Sequence, residues 1–434
     1  STGALYHIEL YVVCGDLQDP AGGDRPALAA GVYHFGVHDF ALRRLRAGEY
    51  HPALVRASGG EPSIAAAPAV IVCTTTYWRN AWKYRARAYR HAFWDSGTML
   101  ANLLAASAGY GVPTRIVCGF VDAEVNHLLD LDTEREVAIA LIALGRDGAS
   151  PGAAGSITAS GTGSTSLLAP ALGLATEPLS KSEVDYPAIR AVHAASSLHS
   201  VDEATAWRRA ASEAAQETPG RMAPLAGQLI ALQRPTDSEP PSHSIAQVIR
   251  RRGSTRQFAR KPITFPLLST ILDRSTRGIP ADSLGTPEQP TRTAAMLNTL
   301  YLIVHAVEGL TPGAYVFHRD IGALELLKDG DFRQHAGYLD LEQELAADAS
   351  INVYFLADLR LILQRLGNRG YRAAQLDAAI TGGKLYLAAY TLRLGASGLT
   401  FYDDDVTEFF SPHAAGKSVM FLIALGKPAP KTRG

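Results

Sequence analysis

Lys83 and Tyr84 sit in the middle of the densest aromatic and basic stretch of the sequence, TYWRNAWKYRARAYRHAFWDSG at 76–97. A lysine amine takes a carbon-bound proton only if its pKa is lowered by burial or by neighbouring cations, and Arg79, Arg85 and Arg87 are the cations nearby in sequence. Tyr84 would then orient a substrate ring or relay the proton. The same two residues also suit a surface lysine beside a packing tyrosine. Trp78, Trp82, Tyr84, Tyr89 and Trp94, interleaved with arginines, suit stacking on single-stranded nucleic acid or an amphipathic helix that bridges two domains. The formal net charge of −1, from 41 basic and 42 acidic residues, argues against nucleic acid or an anionic membrane as the main partner.

The second cluster is IAQVIRRRGSTRQFARKPIT at 245–264. A short amphipathic helix carrying Ile245, Val248 and Ile249 runs into Arg250, Arg251 and Arg252, followed by Ser254 and Arg256. Guanidinium forks around a hydroxyl suit a phosphate dianion. A solvated basic helix end, favourably placed on the helix dipole, has the same composition, and composition leaves both readings standing. The GTGSTS at 161–166 has no lysine after its glycines and reads as linker rather than phosphate loop. Cys14, Cys73 and Cys118 form no C-x-x-C pair and are expected as buried thiols, which argues against a disulfide framework or a zinc site. No apolar run approaches the roughly 20 residues of a membrane helix, and no signal peptide is visible; no membrane association and a cytoplasmic setting are expected.

The elements that position these clusters occur twice. GVYHFGVHDFALRRLRAGEY (31–50) matches GAYVFHRDIGALELLKDGDF (313–332), with Gly31 and Gly313 standing 282 residues apart. Tyr89-Arg90 matches Tyr371-Arg372 at the same spacing, and IALIALG (139–145) matches MFLIALG (420–426) at 281. Each half reads as α+β, with strands, then a long helix, then a last strand. The first long helix is expected to begin near Asp95, to present Met99, Leu100, Leu103 and Leu104, and to stop at Gly109 in a left-handed conformation. Expected boundaries are a first domain at 1–147 lacking its first helix, a linker and helical connector at 148–242, and a second domain at 243–434. Two like halves suggest a fused dimer, free to keep one site and lose the other.

RRGSTRQF followed by PITFPLLSTIL resembles the opening helix of the nitroreductase-like flavoproteins, in which an R-x-S-x-[RK]-x-F stretch grips the FMN phosphate. The resemblance assigns that role to Arg252, Ser254 and Arg256. The terminal LGKPAPKTR resembles the family's basic tail, which adds Lys431 and Arg433. SGLTFYDDD (397–405) resembles the loop along the flavin edge, which adds Leu399 and Thr400.

The first half is similar to a narrower family, the SagB-type azoline dehydrogenases, in STGALYHIELYVV, GVYHF, LRRLRAG and KYRARAYR, in that order. That resemblance implies FMN-dependent oxidation of peptide thiazolines or oxazolines to azoles, with O2 as final electron acceptor. It implies a precursor-peptide substrate and a cyclodehydratase partner. It gives Lys83 and Tyr84 the chemistry and Ser1, Thr2 and Gly3 the flavin-facing loop. His7 departs from the family's proline. The second half has Arg365-Leu366 where the first has Lys83-Tyr84, and Arg292 in its counterpart of the loop. The expected architecture is therefore two nitroreductase-like domains in tandem as a pseudo-dimer, open to further dimerisation. One FMN per chain is expected, served by the second half's phosphate grip and the first half's loop and Lys-Tyr pair. The alternatives are an NAD(P)H-dependent nitro- or quinone reductase and a flavin-free scaffold.

Overall fold

The computed structural model describes residues 1–19, 22, 25–145, 169–174, 180–216, 227–233, 243–284 and 294–430. The expected linker at 148–166, together with Arg292, Lys431 and Arg433, lies outside them. Two compact units emerge. The first comprises Ser1–Ser96, Ser107–Ser212 and Pro280–Thr286; the second comprises Gly97–Ala106, Glu213–Ile279 and Pro287–Gly434. The connector helix Pro187–Ala195, and the helix Val201–Gln216 as far as Ser212, thus fall in the first unit.

The first unit's sheet is built from β1 (Ile8–Cys14), β2 (Gly31–Gly36), β3 (Ala41–Ala47), β4 (Ala69–Thr76), β5 (Thr114–Val117) and β6 (Glu136–Leu144). Their order is β3-β2-β1-β4-β6-β5, and every pairing is antiparallel. The second unit contributes β7 (Leu229–Ala231), a short parallel pair β8 (Ile263–Thr264) and β10 (Val307–Glu308), and β9 (Thr299–Val304), β11 (Gly313–His318), β12 (Ala323–Asp329), β13 (Ile351–Ala357), β14 (Gly395–Gly398) and β15 (Ser418–Gly426). Its antiparallel sheet runs β14-β15-β13-β9-β11-β12-β7. Apart from β7, this is the first unit's order read from the other edge, as the sequence repeat requires.

The repeated G-x-Y has a local cause in each unit. A Cβ at Gly31 would lie 2.6 Å from the Arg46 carbonyl oxygen, and one at Gly313 would lie 2.5 Å from that of Lys328, so only glycine lets the hairpin strands close. Two residues on, Tyr33 donates to Ala29 O at 2.7 Å and Tyr315 to Thr311 O at 2.6 Å, which anchors each strand's entry. The central strands are rich in β-branched and apolar residues, and β6 and β15 are buried along almost their whole length, as strands covered on both faces must be. In the first unit they pack Leu54, Ile64 and Phe120, each fully buried; a side chain of this size contributes about 1.5–3 kcal/mol on burial. Cys14, Cys73 and Cys118 are free and buried, and burial pushes the Cys73 thiol's pKa far up.

The long helices span Ala88–Gly109 and Arg369–Thr391. The first starts seven residues before the expected Asp95. A break at Arg85 (φ +54°) separates it from the preceding helix Trp78–Tyr84, and Tyr89, Phe93 and Trp94 in its opening turns are buried core residues. Leu100 is buried, and Met99, Leu103 and Leu104 are half-buried. The left-handed residue after it is Gly111 (φ +68°), not Gly109. Among the described residues, no helix is long and apolar enough to cross a membrane.

Candidate functional site

In the second unit the arginine-rich segment begins on the helix Ile245–Arg251. Ser244 opens it with a capping box, its hydroxyl accepting from Gln247 N while Gln247 Oε1 accepts from Ser244 N. At the other end Arg251 is spent on structure, donating to Tyr390 O (2.6 Å) and facing His243 Nε2 (3.0 Å). Arg252 leaves the helix in an extended conformation (ψ 137°), and its guanidinium stands 5.4 Å from the centroid of the Tyr386 ring.

Tyr386 is the hub of this region. Its hydroxyl faces the Ser254 side chain and accepts from Gly398 N, just ahead of Leu399 and Thr400; burial pushes its pKa up, so it stays protonated. Leu399 is buried and donates from its backbone to Leu422 O at 3.3 Å. The structure therefore gathers Arg252, Ser254 and the 398–400 stretch around one tyrosine. Arg256 is exposed and has no hydrogen-bond or ion-pair partner among the described residues. The chain end returns here: Ala259 N donates to Lys427 O and Ala429 N to Gln257 O, each at 2.9 Å.

Two buried donors in this region stay unsatisfied among the described residues: Arg252 Nε and Thr400 Oγ1. A buried donor without an acceptor costs about 1–3 kcal/mol. Two such donors, in a region that also carries the exposed Arg256 and the Ser254 hydroxyl, have the chemistry that suits an anion rich in oxygen acceptors, such as the phosphate-bearing end of FMN.

In the first unit the helix Trp78–Tyr84 carries the Lys-Tyr pair. Lys83 is exposed, with Nζ 5.4 Å from the centroid of the Tyr84 ring. Of the two conditions for an active lysine, burial is not met, and one of the neighbouring cations is committed elsewhere: Arg79 pairs with Glu9 of β1 at 2.6 Å, and Glu9 also meets His34 at 3.1 Å. Of the interleaved aromatics, Tyr89 and Trp94 are buried and Trp82 is 53% exposed, so they form no continuous stacking face.

Ser1, Thr2 and Gly3 lie on a tight turn, and Tyr84 meets them. A Cβ added at Gly3 would stand 2.8 Å from Tyr84 Oη, so the hydroxyl packs directly on the glycine. The Tyr84 ring also meets His91 in a T-shaped contact at 4.5 Å between centroids. Asn80 donates to Thr2 O (3.4 Å) and presents Oδ1 to His91 Nδ1 at 2.7 Å, which assigns the imidazole proton to Nδ1. Burial holds the His91 pKa down at about 3, so the ring is neutral.

Sequence reasoning missed three contributors. Tyr386 carries no motif and is only one aromatic on a buried helix. Asp95 and His7 form a buried pair at 2.9 Å that explains the departure from proline, because His7 is the carboxylate's partner. The signal available for Asp95 was its repetition as Asp377 at the 282-residue spacing.

The profile of the nitroreductase family matches this sequence at 29–146 and 249–427. A Methanocaldococcus jannaschii protein named as a nitroreductase is 26% identical over 165 residues, covering 38% of this chain and 82% of that protein. The crystal structure of an Anabaena variabilis protein, also named as a nitroreductase, is similar over 99% of this chain and 82% of that one, with 25% identity and a TM-score of 0.76. The Escherichia coli microcin synthetase McbBCD complex, solved with truncated pro-MccB17, matches over 50% of this chain and 87% of that one at 16% identity and a TM-score of 0.36.

Proposed function

Because the chain belongs to the nitroreductase family, whose members are generally flavin-dependent oxidoreductases, and carries that domain twice, we propose that it is an FMN-dependent dehydrogenase converting peptide thiazolines or oxazolines to thiazoles or oxazoles. The observation that carries this reading is the contact of Tyr84 Oη with Gly3. The loop motif and the Lys-Tyr motif are remote in sequence, and both belong to the azoline-dehydrogenase resemblance. Their meeting at one contact is what a shared task requires.

Bound FMN would supply the hydride acceptor. Arg252, Ser254, Arg256 and Thr400 are the residues proposed to hold its phosphate and ribityl oxygens, with Leu399 lying along its edge and Lys431 and Arg433 of the tail proposed as further phosphate contacts. What remains for the chain's own side chains is the proton. Aromatising an azoline removes a carbon-bound proton as well as a hydride, and Lys83 Nζ with Tyr84 Oη is the pair proposed to accept and relay it. Tyr84 is held for this by Gly3 at its hydroxyl and by neutral His91 against its ring. The substrate is a precursor peptide already cyclised by a cyclodehydratase, because a dehydrogenase needs a preformed azoline.

The test is incubation of the purified, FMN-loaded chain with an azoline-bearing peptide. Loss of two hydrogen masses per ring is expected, and Lys83→Ala and Tyr84→Phe should suppress it. The names of its relatives favour a second reading, NAD(P)H-dependent nitroreduction. Steady NADPH consumption with a nitroaromatic, and no mass change in the peptide, would decide for that reading.

A further inference from the structure

We propose that Asp95 is a positioning residue, pinning the 1–3 loop so that Gly3 fixes where the Tyr84 hydroxyl stands. This rests on the reading of Tyr84 as a residue of the chemistry.

Both Asp95 oxygens are committed to the loop. Oδ1 accepts from Thr2 N (2.8 Å) and Thr2 Oγ1 (2.7 Å); Oδ2 accepts from Thr2 N (2.8 Å), Ser1 Oγ (3.1 Å) and His7 Nε2 (2.9 Å). Ser1 Oγ in turn accepts from Tyr6 N at 2.9 Å, which closes the loop on itself. The loop needs such a clamp. Gly3, Ala4 and Tyr6 have φ of +63°, +56° and +48°, and two of the three carry a Cβ. A run of left-handed residues persists only where the surroundings over-determine it.

Asp95 and His91 are one turn apart on the helix Ala88–Gly109, so one helix face governs both the loop that meets Tyr84 and the ring that packs on it. Asp95 fixes the loop that meets the Tyr84 hydroxyl, and His91 packs against the ring. The second unit keeps the pin without the tyrosine: Asp377 accepts from Leu297 N (3.0 Å) and Asn298 Nδ2 (2.7 Å), while Leu366 stands at the tyrosine's place in the repeat. The carboxylate is thus common to both halves, and its coupling to a hydroxyl belongs to the first.

The experiment places 3-fluorotyrosine at position 84 of the full chain and records its 19F resonance without substrate. Asp95→Asn should move or broaden the resonance toward that of free 3-fluorotyrosine. His7→Asn copies the pair with which the second unit already folds, and should give a smaller shift in the same direction. Asp377→Asn, the same change in the other half, should leave the resonance in place. An unmoved resonance in folded Asp95→Asn overturns the proposal. If that variant does not fold, an unmoved resonance in His7→Asn does so. With the azoline peptide as probe, Asp95→Asn should lower kcat about 10- to 100-fold with little change in KM; a purely structural role would leave kcat per folded molecule intact. A shifted resonance in a chain that oxidises no azoline supports the positioning and sinks the reaction assigned above.

Discussion

Asn298 Nδ2 lies 2.7 Å from Asp377 Oδ2, the place that His7 takes against Asp95 in the first unit. Asn298 and His7 each directly precede a central strand, and the two aspartates hold the same position on the two long helices. The electrostatic results are opposite. At Asp95, burial works upward but is outweighed by the hydrogen bond and charge of His7 and by the Thr2 hydroxyl, so the carboxyl sits well below its usual range. At Asp377 the partner is a neutral amide, burial wins, and the pKa rises to about 6. Asp377 Oδ1 also lacks a hydrogen-bond partner among the described residues, whereas both oxygens of Asp95 have theirs.

The two aspartates should therefore respond to pH with opposite signs. Asp377 has a raised folded pKa, so its contribution is fully present below the unfolded value near 3.9 and is lost as pH rises through about 6. At 1.36 kcal/mol per unit that amounts to about 3 kcal/mol at most. The Tm difference between Asp377→Asn and the native chain should move in the variant's favour from pH 4 to pH 8. Asp95 has a depressed pKa; its contribution is present above about 3.9 and lost as pH falls. Asp95→Asn should therefore cost more at pH 7 than at pH 3. Thermal melts across that range check both, and two flat differences would contradict the assignment.

His91 and His305 set a separate acid limit. Burial holds both near a pKa of about 3, so each is neutral in the folded chain but takes a proton below about 6.5 once unfolded. The stability they permit is whole above 6.5 and drains as pH falls toward 3, by several kcal/mol in all. Replacing His91 by Phe should flatten the stability curve between pH 6 and pH 4, measured by urea unfolding. An unaltered slope would mean that His91 is protonated in the folded chain.

Adjacent loop substitutions should differ in effect. Gly3→Ala meets Tyr84 Oη at 2.8 Å and places a Cβ at φ +63°, so it should cost about 1–2 kcal/mol from the backbone alone and weaken azoline oxidation. Ala4→Gly relieves the same strain at φ +56°, offset by the greater freedom of the unfolded chain, and should be near neutral. Paired Tm and turnover measurements separate them.

The tandem α+β fold was legible because its markers are local. The G-x-Y pairs reflect a close strand approach and a hydroxyl reaching back four residues, both short-range demands that constrain sequence. The helix start at Ala88 was not legible: Tyr89, Phe93 and Trp94 are buried around much of the helix, so no apolar stripe marks its first turns. Arg252 and Ser254 could be named from their motif, but Tyr386, which joins them, is brought there only by tertiary packing. Lys83 was named, but whether it is buried or exposed was not legible, because exposure depends on what packs over a helix and not on its own residues.

Flavin content gives the last prediction. The first repeat has Leu104 where the second has Tyr386, so it offers no hydroxyl at the place where Arg252, Ser254 and Gly398 gather. The second repeat in turn has Arg365-Leu366 in place of Lys83-Tyr84. With each repeat retaining a different part, one FMN per chain is expected, read as the ratio of flavin absorbance to protein after denaturation. Removing a charge-assisted bond from a buried donor costs about 1.5–3 kcal/mol, so Arg252→Ala should weaken FMN binding about 10- to 150-fold. At limiting flavin the variant should lose nearly all its colour, and Tyr386→Phe should lose part of it. A native ratio of two, or an Arg252→Ala chain that keeps half its flavin, would require a second phosphate grip and overturn the single-site reading.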